Sequence, residues 1–416
     1  EIREEYSIND VKEKWYQNVR RICNDYTKNA LEEIGIPEEE FEKYFLKLEN
    51  SKVENMDFSV EDKLFVENFI KKTKGVKSER TRKILEIQRE WTEQLKKCDE
   101  VELYIIKSTV IIAGTCTGFV SNRIIRDVEF DYVIVDEAAK ATFPELAVSL
   151  NKAHKIILVG DHQQLPPVLD TEIIRNNKEK LDEEGLAQGI FERMYNMFPE
   201  DNKHRLTIQY RMHPTIGTLI SHVFYNDEIQ NGVEAQYREL CIEGYEGIAI
   251  EWISTSKYSI KERYEKEFDN NGKKSYQNYL ERNIIERKLL ELDSKLVKRT
   301  KVAVITGYGS QKYILQTMVK QHSFKHIEVD VDTVDAFQGS QKDIILYSTV
   351  RSSGNKYGIG FLKSEARINV AFSRARCLLI IVGDMKFLDN YKIRGNKFPE
   401  IIKYITESEG CRIIEK

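Results

Sequence analysis

The stretch DYVIVDEAAK, residues Asp131 to Lys140, is an apolar run that ends abruptly in two adjacent carboxylates, Asp136 and Glu137. A short run that is apolar on both faces predicts a parallel strand covered by helices on both sides. Ligands of open parallel sheets lie at the carboxyl ends of the strands, where these two acids stand. There an aspartate can hold Mg²⁺, and the following glutamate can orient and deprotonate an attacking water. The plainer alternative is a pair that caps a helix over Ala138–Leu150.

A second run, KIILVGDHQQLPP, follows closely and ends in polar residues and prolines. It predicts a neighbouring strand that brings Asp161 and Gln164 to the same edge, so that both can face one ligand. Gln164 could then sense a terminal phosphate or the attacking water. Pro166 and Pro167 form a rigid turn whose flat rings can rest against a base. A proline-rich loop without a ligand is the alternative.

The chain on either side of these runs has the same texture from about residue 100 onward. Short apolar runs alternate with helical segments in two sets, and the second set follows a predicted helix near Ala187–Asn196. This predicts two α/β domains with a boundary near residue 200. The segment Tyr245–Asn278 is polar and predicts a loop-rich insertion. The other predicted strands are STVIIAGTCTG, KVAVITGYG, HIEVDVDTVDAFQG, KDIILYSTVRS and CLLIIVGD.

Residues 1–100 are highly charged and have apolar residues at helical spacing, which predicts helices. The basic run from Lys71 to Lys83 is either a solvated helix face or a contact with a nucleic-acid backbone.

Composition excludes several classes of protein. The 416 residues carry a net charge of -4, so no global basic field points to nucleic acid, although a groove needs only local positive charge. The six cysteines form no C-x-x-C pair, which argues against zinc sites and a disulfide framework and favours a reducing cytoplasm. No apolar stretch approaches the roughly 18 residues that a membrane helix needs.

The region after residue 200 supplies arginines in two segments, LTIQYRMHP and RINVAFSRAR. Phosphoryl transfer needs the negative charge on the moving phosphoryl group to be neutralised, and one arginine can be worth roughly 10³–10⁵ in rate there. Arginines on a second domain would couple hydrolysis to closure of a cleft. Exposed arginines are more often surface ion-pair partners, an alternative that fits Arg376 better than Arg211 or Arg374.

Taken together, from about residue 108 to 385, these segments resemble a type-B superfamily-1 DNA/RNA helicase, in the branch of the nonsense-mediated-decay helicase and senataxin. SYQNYLE also resembles a family segment. VDEAA is similar to motif II of that family, GDHQQLPP to motif III, QYRMHP to the arginine motif that opens the second domain, ITGYGSQ to motif IV, TVDAFQGSQKDIIL to motif V and RINVAFSRAR to motif VI.

The resemblance implies an α/β fold of two RecA-like parallel-sheet domains, the first incomplete, with an N-terminal helical insertion. The expected boundaries are 1–100 for the insertion, 101–200 for the first domain and 201–416 for the second. The implied activity is ATP-dependent translocation on single-stranded DNA or RNA and its unwinding, 5′ to 3′, with ATP and Mg²⁺ in the cleft. A nucleic-acid-binding scaffold without hydrolysis is the main alternative, and another Mg²⁺-dependent phosphotransferase is a third.

Roles carry over position by position. The implied catalytic residues are Glu137 as base, Gln164 as γ-phosphate sensor, and Arg211 and Arg374 as the clamp from the second domain. The implied nucleotide- and metal-binding residues are Asp136 for Mg²⁺, Tyr210 stacked on adenine, and Gln209, Gly339, Gln341 and Arg367. The expected nucleic-acid contacts are Thr115, Thr117, Pro166, Thr306 and Thr333; threonine hydroxyls at strand ends suit phosphate contacts.

Three departures from the family pattern stand out. Gly307 replaces a proline in motif IV, and Gln341 replaces a glutamate that binds ribose, which weakens that hydrogen bond. No G-x-x-x-x-G-K-[ST] phosphate loop occurs in the sequence. In the family this loop precedes motif II, separated from it by a helical insertion that residues 1–100 resemble. The sequence is therefore expected to begin downstream of its phosphate loop, to need that upstream segment of the same polypeptide, and to be inactive alone.

Overall fold

The computed structural model of this protein describes residues 87, 106–123, 125–167, 189–270, 273–352 and 358–415. The chain divides into two units, Glu1–Ile112 and Ala113–Lys416. In the first unit, residue Ile87 is helical and residues 106–112 are described. The other predicted helices of residues 1–100 and the basic run Lys71 to Lys83 lie outside the described residues.

The second unit is built from helices and mostly parallel strands. Its strands are β1 (Phe130–Val135), β2 (Ala153–Leu158), β3 (Ile208–Gln209), β4 (Gln230–Asn231), β5 (Ile250–Ser254), β6 (Lys266–Asn270), β7 (Lys273–Gln277), β8 (Thr300–Thr306), β9 (Ile327–Thr333), β10 (Lys342–Ser348), β11 (Ala375–Gly383) and β12 (Cys411–Glu415). Its α-helices are α1 (Cys116–Ser121), α2 (Phe143–Leu150), α3 (Ile190–Met197), α4 (Pro214–Phe224), α5 (Ile260–Arg263), α6 (Tyr279–Lys295), α7 (Gly309–Val319), α8 (Val334–Phe337), α9 (Glu365–Phe372), α10 (Met385–Asn390) and α11 (Phe398–Glu407).

A first sheet consists of β1 and β2, which pair in parallel with Val135 opposite Leu158. A small core lies beside it, formed by Val135, Ala138, Ala139, Leu146 and Phe191. Much of the rest of this sheet is exposed, including 54% of Tyr132 and 66% of Ile134. Parallel sheets normally bury both faces. The described residues therefore cover this sheet only in part.

The predicted strand STVIIAGTCTG is wrong. Residues 109–115 form no strand, and α1 begins at Cys116, where the Thr115 hydroxyl accepts a hydrogen bond from the Gly118 N–H at 3.1 Å. The side chains of Val110 and Ile111 are exposed. Apolar composition alone predicted a strand here, but a strand also needs a neighbour to pair with, and the described residues supply none for this segment.

A six-stranded parallel sheet forms the centre of the unit, in the order β12-β5-β11-β10-β8-β9. Alternate side chains of its strands enter two cores. In β8, for example, Ala303 and Ile305 pack with α4, α9 and α11, whereas Val302 and Val304 pack with α6 and α7. Helices on both faces of parallel strands confirm the predicted α/β class. The runs predicted as β8, β9, β10 and β11 are strands at those places.

The loop-rich insertion predicted for Tyr245–Asn278 is wrong. The segment contains β5, which lies inside the six-stranded sheet between β12 and β11, and the antiparallel hairpin β6–β7. Trp252 of β5 is fully buried, and its indole N–H donates to the Gly383 carbonyl oxygen at 3.2 Å. Glu251, also buried, forms ion pairs with Lys288 and Arg412, and these pairs allow a charged residue to be buried. A polar residue in this segment therefore did not mean that the segment is exposed.

Candidate active site

The carboxylates of Asp136 and Glu137 stand in the turn that follows β1. Glu137 has φ 54° and ψ 34°, a left-handed conformation that residues other than glycine rarely adopt. The turn is tied to the next strand, because the Ala138 N–H donates to the Val159 carbonyl oxygen at 2.8 Å. Both acidic side chains are exposed. A strained turn thus presents two carboxylates at the carboxyl edge of the first sheet.

The capping alternative for this acid pair does not fit the geometry. Residues 138–140 form a short 3₁₀ helix, and the Glu137 side chain makes no cap hydrogen bond there. The predicted helix over Ala138–Leu150 begins later, as α2 at Phe143, and has its own capping box from Thr142 and Glu145. The carboxylate of Glu137 is therefore available for another role.

A residue of the second sheet region, the elements around the six-stranded sheet, contacts Glu137 from across the cleft. The Gln338 Nε2 group, after α8, donates to Glu137 Oε2 at 3.3 Å, across 201 positions of sequence. Within the described residues, the buried Oε1 of Gln338 has no hydrogen-bond partner. The turn after β1 and the segment before β10 therefore face each other across one cleft.

Two arginines of the second sheet region lie at the same cleft. Arg374, just before β11, is 1% exposed, and its Nε donates to the Val370 carbonyl oxygen at 3.0 Å. Arg211, after β3, donates from Nη1 to the Ser373 carbonyl oxygen at 3.3 Å. Backbone contacts at residues 370 and 373 thus fix both guanidinium groups.

The electrostatics of the two arginines favour an anion between the sheets. Burial, and then the charge of Arg211, lower the pKa of Arg374 to about 10, while the charge of Glu137 opposes that shift. Burial also lowers the pKa of Arg211, again opposed by Glu137. A buried and a half-buried cation, of which the second disfavours the charge of the first, would be stabilised by a polyanion.

Gln164 connects the loop after β2 to this cluster. Its Nε2 donates to Asp161 Oδ2 at 2.8 Å, and its Oε1 accepts from Arg374 Nη2 at 3.4 Å. The structure therefore brings together four residues predicted to be catalytic, namely Glu137, Gln164, Arg211 and Arg374.

The side chain of Gln209 holds the backbone of the arginine loop. Its Oε1 accepts from the N–H groups of Arg211 and Met212 at 2.9 and 2.8 Å, and its Nε2 donates to Asn231 Oδ1 at 2.8 Å. In this arrangement Gln209 orients Arg211 rather than presenting its amide to a ligand.

Tyr210 presents a ring that suits stacking. The residue is 62% exposed. A Cβ on Gly232 would lie 2.4 Å from the ring atom Cε1, so only glycine allows the backbone to approach this side of the ring. The remaining face is open to a flat ligand such as a base.

The other residues predicted to bind nucleotide lie in different surroundings. Gly339 adopts φ 81° in the turn after Gln338, and Gln341 is exposed before β10. Arg367, on α9, forms an ion pair with Asp335 at 3.1 Å and lies over the Phe361 ring. The described contacts place Arg367 in this ion pair and not with the arginine cluster.

The residues predicted to contact nucleic acid differ in exposure. Thr115, Thr117 and Pro166 are exposed, and Thr333 is half-buried where β9 meets α8. Thr306, in contrast, is fully buried at the end of β8, and its hydroxyl has no partner among the described residues. Thr306 is therefore not on a surface that a strand could contact in this conformation.

ATP and Mg²⁺, which the sequence implies, fit the residues present. Among the described residues the exposed Asp136 carboxylate accepts one hydrogen bond, from the Glu137 N–H at 3.0 Å. A single carboxylate that completes its shell with waters and phosphate oxygens is a common arrangement for Mg²⁺. Buried Arg374 and half-buried Arg211 supply the positive charge that a triphosphate requires.

Sequence reasoning missed several residues of this cleft. Gln338 lies inside the quoted motif DAFQG, directly before Gly339, which was predicted to bind nucleotide. That position could have identified Gln338 as a site residue. Tyr225 and Asn369 gave no signal, since an aromatic residue at a helix end and an amide inside a helix usually serve the core. Their contacts with Asp161 and Gln163 depend on how distant segments meet.

No helix within the described ranges is long and apolar enough to span a membrane.

Two family models, each described as an AAA domain, match residues 3–172 and 186–386. The Regulator of nonsense transcripts 1 homolog of Drosophila melanogaster is 35% identical over 301 residues, which cover 71% of this chain and 24% of that protein. The ATP-dependent helicase NAM7 of Saccharomyces cerevisiae is 32% identical over 329 residues, 77% of this chain and 31% of that protein.

An uncharacterized ATP-dependent helicase of Methanocaldococcus jannaschii is 30% identical over 351 residues, 82% of this chain and 48% of that protein. The chain thus spans from about a quarter to about a half of the length of these relatives. The two domain matches, in this order, and the relatives agree with the motif order around the cleft: the chain belongs to the UPF1-like helicases of superfamily 1.

Proposed function

We propose that this chain is the motor portion of an ATP-dependent helicase that translocates along single-stranded nucleic acid and unwinds it. The observation that carries the proposal is that a glutamate, a glutamine and two arginines meet at one cleft. Glu137 and Gln164 come from the first sheet, and Arg211 and Arg374 come from the second sheet region. Contacts of 3.3 Å from Gln338 to Glu137 and 3.4 Å from Arg374 to Gln164 support this meeting.

In the proposed reaction, Glu137 accepts a proton of the water whose oxygen bonds to the γ-phosphorus of ATP, while the bond from that phosphorus to the β–γ bridging oxygen breaks and ADP leaves. Its left-handed turn and the hydrogen bond from Gln338 orient the carboxylate. Arg211 and Arg374 neutralise charge on the moving phosphoryl group, a contribution worth roughly 10³–10⁵ in rate. Asp136 would hold Mg²⁺, which when bound neutralises phosphate charge. Tyr210 offers the base a stacking surface.

Movement along a strand would follow from closing and opening of the cleft, because the arginines and the acids lie on different sheets. Thr115, Thr117, Pro166 and Thr333 are the proposed contacts with the nucleic acid, and direction 5′ to 3′ rests on the resemblance alone. The cysteines Cys116, Cys241, Cys377 and Cys411 are thiols, in keeping with action in a reducing cytoplasm.

The phosphate loop for this site is proposed to come from residues other than these 416, which contain no such motif. Among the described residues, β1 and β2 have exposed apolar side chains such as Ile134, which leaves room for a further segment against this sheet. Without the loop, most of the contacts that hold a triphosphate are missing. Residues 1–416 alone are therefore expected to bind ATP·Mg²⁺ no better than about millimolar, or roughly 4 kcal/mol.

The test is a phosphate-release assay on the full-length protein that includes the phosphate loop, with and without single-stranded DNA or RNA. We expect hydrolysis that single strands stimulate, and calorimetry on residues 1–416 should show only weak ATP binding. Strand binding without any hydrolysis would favour the scaffold alternative and contradict the proposal. Micromolar affinity of residues 1–416 for ATP would contradict the proposed origin of the loop.

A further inference from the structure

Five polar side chains form a chain of hydrogen bonds behind the arginine cluster. Two of them follow β2, one ends α4, and two lie on or just after α9. Asn369 Nδ2 donates to the Tyr225 oxygen at 2.8 Å, and Tyr225 in turn donates to Asp161 Oδ2 at 2.5 Å. Gln164 Nε2 donates to the same Asp161 oxygen at 2.8 Å. Arg374 Nη2 then donates to Gln164 Oε1 at 3.4 Å. Asn369 and Arg374 are only five positions apart, so the chain closes into a ring through α9.

The direction of each hydrogen bond in this ring is fixed by chemistry. A carboxylate only accepts hydrogen bonds, and a guanidinium only donates them. Gln164 lies between the two, so its amide nitrogen must face Asp161 and its carbonyl oxygen must face Arg374. The reverse orientation would bring an oxygen within 2.8 Å of the Asp161 carboxylate and an NH₂ group against Arg374.

Tyr225 is oriented in the same way. Asn369 Nδ2 also donates to the Gln163 carbonyl oxygen at 3.1 Å, an atom that only accepts, so the amide nitrogen of Asn369 must point toward Tyr225. The tyrosine oxygen therefore accepts from Asn369 and its proton goes to Asp161. Burial, and then the charge of Asp161, raise the pKa of Tyr225, which keeps this proton in place.

The ring also occupies the NH₂ group of Gln164. Besides its bond to Asp161, the Gln164 side chain interacts with the Tyr225 hydroxyl. Its NH₂ group is thus engaged on the side away from Arg374. The oxygen of Asp161 on its other side accepts from the Gln163 N–H at 3.0 Å, so the whole loop depends on where this carboxylate points.

We infer that Tyr225 is a positioning residue that acts through Asp161 on Gln164, and that Gln164 presents its carbonyl oxygen, not its NH₂ group, to Arg374 at the cleft. This inference rests on the proposed hydrolysis of ATP. A carbonyl oxygen can orient Arg374 or a hydrogen of the attacking water, but it cannot donate to a phosphoryl oxygen. Gln164 would therefore orient Arg374 and the attacking water. Because its members come from both sheet regions, the ring forms only when the two regions are in contact.

The first experiment needs no catalysis. In residues 1–416, the Gln163 N–H donates to Asp161 Oδ1 and the Gln164 N–H to the Asp161 carbonyl oxygen, at 3.0 and 3.2 Å. Tyr225→Phe removes one hydroxyl and should speed hydrogen–deuterium exchange of these two amides at least about tenfold. The control is Tyr404→Phe, which removes a hydroxyl bonded to the Thr215 carbonyl oxygen at 3.1 Å and should leave them unchanged.

Should Tyr225→Phe fail to fold, Asn369→Ala removes the donor to Tyr225 and replaces it in the same comparison. Exchange that stays at the wild-type rate for Gln163 and Gln164 in the folded variant overturns the ring. Exchange that rises equally in the six-stranded sheet, at Ile345 for example, also overturns it, because the effect would then be a global loss of stability.

The second experiment measures hydrolysis by the full-length protein in a double-mutant cycle. Tyr225→Phe should lower kcat about tenfold while KM for ATP stays within about twofold, since a misplaced group costs rate more than binding. In a Gln164→Ala background the same change should have less than about a twofold effect, because the residue it positions is gone. An equal loss in both backgrounds overturns the inference. Wild-type protein without hydrolysis would contradict the proposed function, while the exchange experiment still decides the ring.

Discussion

The two parallel sheets are made of similar strands but differ in how they are covered. Ile305 in β8 is fully buried between the sheet and its helices, whereas Ile134 in β1 is 66% exposed. Both strands are runs of apolar residues. Burial thus depends on the number of elements around a strand more than on its sequence. The functional groups differ too: the partly covered sheet carries the acids, and the fully covered one is next to the arginines.

The largest expected effect concerns the charges that the second sheet region brings to the first. In the full-length protein, Arg211→Ala or Arg374→Ala should lower kcat at least about 10³-fold, because each removes a positive charge that neutralises the phosphoryl oxygens. Binding of single strands without nucleotide should be largely kept. Steady-state phosphate release and strand-binding titrations measure the two effects.

Arg376→Ala is the matched control, since Arg376 belongs to the same segment but pairs with Asp343 at 2.9 Å. It should change kcat by less than about threefold, as expected for a surface ion pair. A loss below tenfold in both Arg211→Ala and Arg374→Ala would show that these arginines are structural, and the division of labour between the sheets would fail.

The next effect tests the difference in burial directly. Ile305→Ala should lower the free energy of unfolding by about 3 kcal/mol, because it leaves a cavity in a closed core. The same change at Ile134 should cost less than about 0.5 kcal/mol, since the side chain is exposed. Denaturant unfolding of residues 1–416 measures both. A similar loss at the two positions would mean that β1 is covered in solution.

A pH-dependent effect concerns an acid enclosed at the carboxyl end of the larger sheet. Glu281 is fully buried and accepts from Ser348 Oγ at 2.6 Å and from the Val350 N–H at 2.9 Å. Burial raises its pKa to about 8 from an ordinary value of 4.5. The folded state therefore holds this proton more tightly, so its stabilising contribution is complete below pH 4.5 and is lost as the pH rises to about 8.

Wild-type stability relative to Glu281→Gln should thus fall between pH 4.5 and 8, by at most about 1.4 kcal/mol per pH unit. The control has the opposite sign. Burial acts to raise the pKa of Glu291, but hydrogen bonds and ion pairs with Lys288 and Lys295 outweigh it and lower this pKa. The pH dependence of Glu291→Gln should therefore differ from that of wild type only in the acid range. Urea unfolding across this range measures both differences. A constant difference between wild type and Glu281→Gln would contradict the buried acid.

The sequence predicted the larger sheet well where apolar residues recur along a strand, either in a run, as in β11, or at alternate positions, as in β9. The segments of β8, β9, β10 and β11 carry their own signal. In contrast, β5 is only five residues long and includes Glu251, which is buried because it forms ion pairs with Lys288 and Arg412. Those partners come from α6 and β12, and no local pattern reveals them. The segment 109–115 failed for the reverse reason, since its apolar residues have no paired strand among the described residues.

The chemistry of the candidate site was more predictable than its geometry. Motif residue types pointed to Glu137, Gln164, Arg211 and Arg374, which do lie at one cleft. Their orientation was not predictable: the left-handed turn at Glu137 has no glycine to signal it, and the ring through Tyr225 joins three separate segments. Residue type limits which groups can react, whereas long-range contacts decide which way they point.

The most direct test of the central claim is the turnover of Glu137→Gln in the full-length protein with saturating single strands. We predict that kcat falls about 10³-fold while ATP affinity, measured by calorimetry, stays within about threefold, since the amide keeps the shape but cannot accept the proton. Glu129→Gln, exposed just before β1 at the other end of the same strand, should hydrolyse ATP at the wild-type rate. Normal steady-state hydrolysis by Glu137→Gln would contradict its role as the base.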